Sequence, residues 1–248
     1  MENRKRPTFV PKTWDLPEAI RSRLGTDPGR QRMMDEDGHL LLILHEAPTP
    51  EDEENRRAFV LWGSPDGTWK SAPTAGGLGG LDAHLDSYRS AIQSLDDDTD
   101  TADSPQDYFD VVKRSLPLLR STKNLLNVLQ AARTARPADQ RLIVARDSAI
   151  NLERAIDLTA GEAKAGMDYT LAMHAEAQAT AAQAATDEAR RLNRLVAFFF
   201  PMATIAAVLG INEVDNVIAD PGFRMTLIGG LIAGLMTWAI IARPTGKR

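Results

Sequence analysis

An amide and two carboxylates stand together at the end of an uncharged stretch: Asn212, Glu213 and Asp215 follow directly on Gly210 and Ile211. A hard cation such as magnesium gives up its water shell reluctantly and takes oxygen ligands. Neutral amide oxygens suit that shell better than a tight carboxylate cage. Asn212, repeated around a symmetry axis, would present a ring of amide oxygens. Glu213 and Asp215 beside it would concentrate cations electrostatically. Gly210 would allow close packing and backbone exposure below the ring. Asn is also favoured where a helix ends, so a capping role for Asn212 stays open.

Elsewhere the residue types exclude more than they suggest. Cysteine is absent, which removes disulfides, Cys-ligated zinc and thiol chemistry. His39, His45 and His84 have no partners at metal-ligand spacing and read as structural. No Ser-His-Asp set or paired-carboxylate pattern stands out, so no enzyme and no resident cofactor are expected. Gly76-Gly77-Leu78-Gly79-Gly80 lacks the Gly-Lys-Ser/Thr ending of a phosphate loop and reads as a flexible joint. The acidic run Asp96-Asp97-Asp98-Thr99-Asp100 could hold a hard cation but reads rather as a solvated linker. A net charge of -5 argues against nucleic acid as a partner.

The elements that would hold Asn212 are apolar. Residues 195–211 and 225–242 form runs of 17 and 18 residues without a charged side chain. A bilayer span takes roughly 20 apolar residues, from about 17 upward. Arg190, Arg191 and Arg194 precede the first run, and Arg243, Lys247 and Arg248 follow the second. The connecting loop 212–224 carries Glu213, Asp215 and Asp220 against Arg224 alone. Positive flanks stay inside, which puts both termini in the cytoplasm and the short acidic loop outside. Met1–Pro7 is charged and no apolar segment follows, so no signal peptide is expected. The lack of cysteine agrees with a largely cytoplasmic chain.

Ahead of these runs, residues 1–100 read as a small α+β domain, and 101–194 as cytoplasmic helices and a stalk. A short helix is expected near 17–24, with little other regular structure before residue 39. His39–His45 and Ala58–Trp62 are strand candidates, and Ser64-Pro65-Asp66-Gly67 turns the chain into a third at 68–71. Leu81, Leu85, Tyr88, Ile92 and Leu95 recur at helical spacing. Ser104-Pro105-Gln106-Asp107 is a helix start, with that helix running to about Thr134. Past Pro137 only Pro201 interrupts the chain before Asn212. Ala149, Leu152, Ile156, Ala160, Ala163, Met167 and Leu171 recur in steps of three and four. As one helix, 138–211 would be roughly 111 Å long at 1.5 Å per residue. A stripe that narrow needs partner helices, and twelve alanines in 160–190 let them approach closely. The other reading is a break at Gly161 or Gly166 and an ordinary bundle. His174 and Gln178 continue the stripe as polar positions, lining a vestibule or facing solvent. Ala203/Ala207, Ala206/Gly210 and Gly230/Gly234 are small pairs at the spacing that lets membrane helices pack.

With Phe198-Phe-Phe-Pro201 ten residues ahead of Gly210-Ile211-Asn212, the chain resembles the CorA family of divalent-cation channels. Leu116-Pro117-Leu118-Leu119-Arg120 looks like that family's Leu-Pro-Leu-Arg segment, and Ala145-Arg146-Asp147 like the start of its stalk. The resemblance covers roughly residues 105–248. Its signature is Gly-Met-Asn; the middle residue here is Ile211, and a polar pore position is Ala203. The resemblance implies a mainly α protein with a small N-terminal α+β domain and a long stalk helix. That helix would run into the first of two C-terminal transmembrane helices, in an oligomeric funnel. It also implies a homopentamer in the cell's inner membrane that passes Mg2+, or Zn2+, Co2+ or Ni2+, with the metal as transported and regulatory ion. Gly210, Ile211 and Asn212 would be the filter, and Phe200 and Leu192 would match the family's hydrophobic constriction. The rival expectation is a membrane-anchored sensor or effector built on the same frame.

Overall fold

The computed structural model describes residues 9–49, 57–211 and 221–242. The chain divides into two units, Met1–Ala172 and Met173–Arg248. In chain order the elements are α1 (Glu18–Arg21), β1 (Arg32–Glu36), β2 (His39–His45), β3 (Ala58–Gly63), β4 (Trp69–Ala72), α2 (Leu78–Asp100), α3 (Pro105–Ala135), α4 (Gln140–Ile211) and α5 (Pro221–Ala242).

The four strands form one antiparallel meander in the order β1-β2-β3-β4. The run at residues 40–44 forms its centre because the sheet is covered on both faces, which calls for continuous rather than alternating apolar sequence. Leu40, Leu42, Leu44, Phe59 and Leu61 face the helices. Leu41, Ile43, Val60 and Trp62 face a lid made by Val10, Trp14, Leu16 and Ile20. Register pairs Leu42 with Leu61 and Met34 with Leu41. Strand β1 goes beyond the expectation of little structure before residue 39. Its cause is the turn: Asp37 and Gly38 both take positive φ, at 49° and 75°. That is the two-residue hairpin geometry that Asp-Gly favours.

Helices α2 and α3 pack on the sheet, and the first part of α4 joins them, with Leu81, Tyr88, Leu125, Leu129, Leu152 and Ile156 in one core. Helix α3 opens with a capping box between Ser104 and Asp107 and Pro105 in the first turn, as its sequence implies. Asp139 caps α4, accepting from the amides of Arg141 and Leu142 at 3.0 and 3.3 Å. Two expectations need correction. Asp96–Asp100 is the last part of α2, not a linker. Carboxylates oppose the dipole at a helix C-terminus, and these are offset by partners: Arg114 pairs with Asp98, and Thr159 donates to Asp96 at 3.1 Å. The glycine run is not a free joint either. A Cβ on Gly80 would meet Ser71 Oγ at 2.3 Å, so Gly80 lets α2 lie against β4.

Helix α4 has 72 residues and does not break at Gly161 or Gly166. Of the expected stripe, Ala149, Leu152, Ile156 and Ala163 are buried, Ala160 and Met167 are half-buried and Leu171 is exposed. His174 and Gln178 are exposed in the single chain.

Candidate functional site

The residues expected to handle a cation lie in the second unit. Gly210 and Ile211 form the last turn of α4. Asn212, Glu213 and Asp215 lie outside the described residues, as do the flanking Arg243, Lys247 and Arg248. Phe200 and Leu192 are both on α4 and exposed, at 68% and 60%. They sit eight positions apart, about 12 Å along a helix axis, and the chain by itself brings them into no common cluster. Ala203, the position matching a polar pore residue, is exposed.

Pro201 lies inside α4. Proline cannot donate, which frees the carbonyl four residues back, and its ring pushes on the preceding turn. Thr204 Oγ1 bonds the Phe200 carbonyl at 2.8 Å, next to this disturbance. On α5, Gly234 faces the Pro201 ring, and a Cβ there would lie 3.3 Å from Pro201 Cγ. Gly234 of the Gly230-x-x-x-Gly234 pair therefore serves the approach of α5 to the proline of α4. Large apolar side chains otherwise stand uncovered: Leu195, Phe198 and Phe199 on α4, and Met225, Leu231 and Met236 on α5. Among the described residues no helix is long and apolar enough to cross a membrane. The spans expected at 195–211 and 225–242 therefore gain no support from helix hydropathy.

The first unit holds a buried polar network that the sequence does not announce. Tyr88 Oη donates to the His45 carbonyl at 2.9 Å and meets Ser121 Oγ at 2.6 Å. Gln31 Nε2 donates to Ser121 at its carbonyl and hydroxyl, at 2.9 and 3.1 Å. Burial pushes the Tyr88 phenol up to about 12, so it stays a neutral donor. His45 Nε2 lies 2.8 Å from the Gly29 carbonyl. His84 stacks on Phe59 with ring centroids 4.4 Å apart and meets the edge of Tyr88. Its Nε2 is buried without a hydrogen-bond partner. Burial, and then the neighbouring His45, hold its pKa down at about 4. His39 Nδ1 accepts from Trp62 Nε1 at 3.1 Å. The three histidines are thus occupied by packing, and the described residues contain no group of three acids or histidines placed to hold a metal.

Arg136, just after α3, was also missed. Its guanidinium bonds the carbonyls of Gly38 and Ser64 and lies over the Trp69 ring at 5.6 Å. It ties the β1–β2 and β3–β4 turns to the helical layer. A lone Arg after a helix gives no sequence signal of this, whereas His84 does: it sits inside the Leu81, Leu85, Tyr88 stripe.

Solved structures share this architecture. The full-length CmaX protein superposes with a TM-score of 0.55 at 15% identity, over 94% of this chain and 83% of its own. The two chains share a fold. The ZntB cytoplasmic domain from Vibrio parahaemolyticus gives a TM-score of 0.49 at 16% identity, over 65% of this chain and 80% of that one. No protein-family model matches the sequence, and no curated protein does.

Proposed function

We propose that the chain is the subunit of a CorA-like homopentameric membrane channel that passes divalent cations, Mg2+ first and Zn2+, Co2+ or Ni2+ next. The observation that carries the reading is the apolar surface of the second unit. Phe198, Phe199, Phe200, Leu231 and Met236 are each about half exposed or more. Soluble monomers rarely leave apolar patches of such extent uncovered, and the runs 195–211 and 225–242 carry no charge in sequence. Lipid and neighbouring copies of the same helices are the cover this reading supplies. The sequence resemblance to the CorA family and the fold shared with the CmaX protein over most of the chain support it.

In this reading both termini are cytoplasmic, the membrane is the cell's inner membrane, and Asn212 forms the amide ring at the outer mouth. Glu213 and Asp215 gather cations there. Phe200 and Leu192 narrow the path, and a narrow apolar constriction gates by losing its water. In this reading Pro201 and the close approach of Gly234 lie next to Phe200.

The test is ion flux into proteoliposomes holding a trapped magnesium indicator, with the purified oligomer sized beforehand. Influx that Asn212→Ala abolishes supports the channel. A verified oligomer that passes none of the four metals overturns it in favour of a membrane-anchored sensor or effector. Exposed Ala203 favours that second reading, since it offers a hydrated ion no hydrogen bond.

A further inference from the structure

We propose that the cleft between α2, α3 and the end of the β2–β3 pair is a binding site for a soluble organic phosphate of nucleotide size. The cleft measures about 1170 Å³, above the roughly 300–1,000 Å³ usual for small-molecule sites. It lies wholly in the first unit and does not depend on ion passage.

Its wall has two chemistries. Ala91, Leu95, Ala102, Val111 and Leu118 give an apolar side that suits a ring or another flat organic body. Four carboxylates also line it, and each is engaged. Glu46 pairs with Arg57 at 3.2 Å, and Asp98 pairs with Arg114. Asp107 is held in the capping box with Ser104, and Asp110 accepts from Gln106 at 3.1 Å. Those pairs also occupy Arg57 and Arg114. What remains on the wall is Lys113, Arg120 and Asn124, which have no partner among the described residues.

Among the described lining residues the side chains left without a printed partner are thus two cations and an amide, while Asp107 and Asp110 are held by the neutral Ser104 and Gln106. Positions 113, 120 and 124 are seven and four apart, so they share one face of α3. Lys113 and Arg120 are about 10 Å apart along the axis, a length that a nucleotide bridges and a single phosphate does not. An Arg fork matches phosphate oxygens in pairs. At the inner end, His45 and Ser121 are buried and tied together by Tyr88, which gives the site a fixed floor rather than an adaptable one.

The experiment is titration calorimetry on the full chain in detergent, with EDTA present so that no metal bridges the ligand. ATP, AMP and inorganic pyrophosphate are the probes. Saturable binding of ATP or AMP is expected, with pyrophosphate about tenfold weaker because it leaves the apolar wall unused. Arg120→Ala and Lys113→Ala should each weaken ATP about tenfold, the scale of one lost charged hydrogen bond. Arg89→Ala, which loses only the exposed pair with Asp86, should leave binding unchanged. Far-UV circular dichroism checks each variant, and Arg120→Gln replaces any that fails to fold. Absence of saturable binding by ATP and AMP at millimolar concentration overturns the proposal. So does wild-type affinity in both Arg120→Gln and Lys113→Ala, or pyrophosphate that binds as tightly as ATP.

Discussion

Leu152 and Ile156 on α4 are buried against α2 and α3, while Phe198, Phe199 and Phe200, further along the same helix, stand half exposed or more. One element therefore obeys two rules. In the first unit Leu152, Ile156 and Ala163 of the stripe are buried within the chain, and Gln31, Tyr88 and Ser121 are bonded in a network beneath the sheet. In the second unit the described residues show two helices and a proline–glycine contact, and Phe198, Phe199, Phe200, Leu231 and Met236 stand exposed. Amphipathic patterning marks the first: polar and apolar residues separate onto faces because one side meets water. Helix α5 is apolar on several sides, as a helix is when its surroundings are not water. The first unit buries its own core, and the second leaves large apolar side chains exposed in the single chain.

The sharpest way to break this contrast is to truncate one apolar side chain in each unit. Leu42 is fully buried between sheet and helices. Leu42→Ala should cost about 2–5 kcal/mol, the transfer term plus the cavity left behind. Phe200→Ala removes a larger side chain, yet Phe200 is 68% exposed. Chemical denaturation followed by the first unit's tryptophans should show Phe200→Ala within about 0.5 kcal/mol of wild type. If the proposed channel function holds, its effect should appear in cation flux instead. Equal destabilisation by both substitutions would mean that the second unit is part of the first one's core.

A second test uses protons and should move only the first unit. His84 is held at about 4 in the fold, mainly by burial and then by His45, against about 6.5 in an unfolded chain. Between these values the unfolded state binds the extra proton. Stability therefore rises with pH across this window and falls as pH drops from 6.5 towards 4. A shift of that size corresponds to ~3 kcal/mol in total. Thermal melts at steps across the window should show the slope, and His84→Gln should flatten it. An unchanged slope in His84→Gln would assign the acid sensitivity to other groups.

The sequence made some of this legible and hid the rest for physical reasons. The strands at 39–45 and 58–63 are apolar runs bounded by turn residues, and burial on both faces leaves such a run no other use. Strand β1 hides because Met33-Met34-Asp35-Glu36 is a mixed run, although Asp37-Gly38 already marks the hairpin. The end of α2 hides because its carboxylates are answered from α3 and α4, by Arg114 and Thr159. No local rule reports partners that distant. The network of Gln31, His45, Tyr88 and Ser121 draws on four separate segments for the same reason. At the proposed pore, Pro201 and the spacing to Gly210 were readable, and so was Gly230-x-x-x-Gly234, but not that Gly234 meets the proline itself.

The smallest effects compare the glycines of the two units, which fall into matching pairs. A Cβ on Gly161 or on Gly229 meets nothing within 4 Å. Gly161→Ala should then stabilise by up to about 1 kcal/mol, the difference in helix propensity. Gly229→Ala should be neutral for assembly. The partners of these glycines differ in severity. A Cβ on Gly166 would lie 2.4 Å from the Tyr108 ring, whereas on Gly234 it would lie 3.3 Å from Pro201 Cγ. An aromatic ring set against a packed core cannot retreat by an ångström, so Gly166→Ala should cost about 1–3 kcal/mol. A contact of 3.3 Å asks for a few tenths of an ångström, a far smaller adjustment than the one Gly166 demands. Gly234→Ala should therefore weaken oligomer stability in a detergent dilution series by less than about 1 kcal/mol. A larger loss at Gly234 than at Gly166 would reverse the contrast, because the helices of the second unit would then be the more rigidly packed.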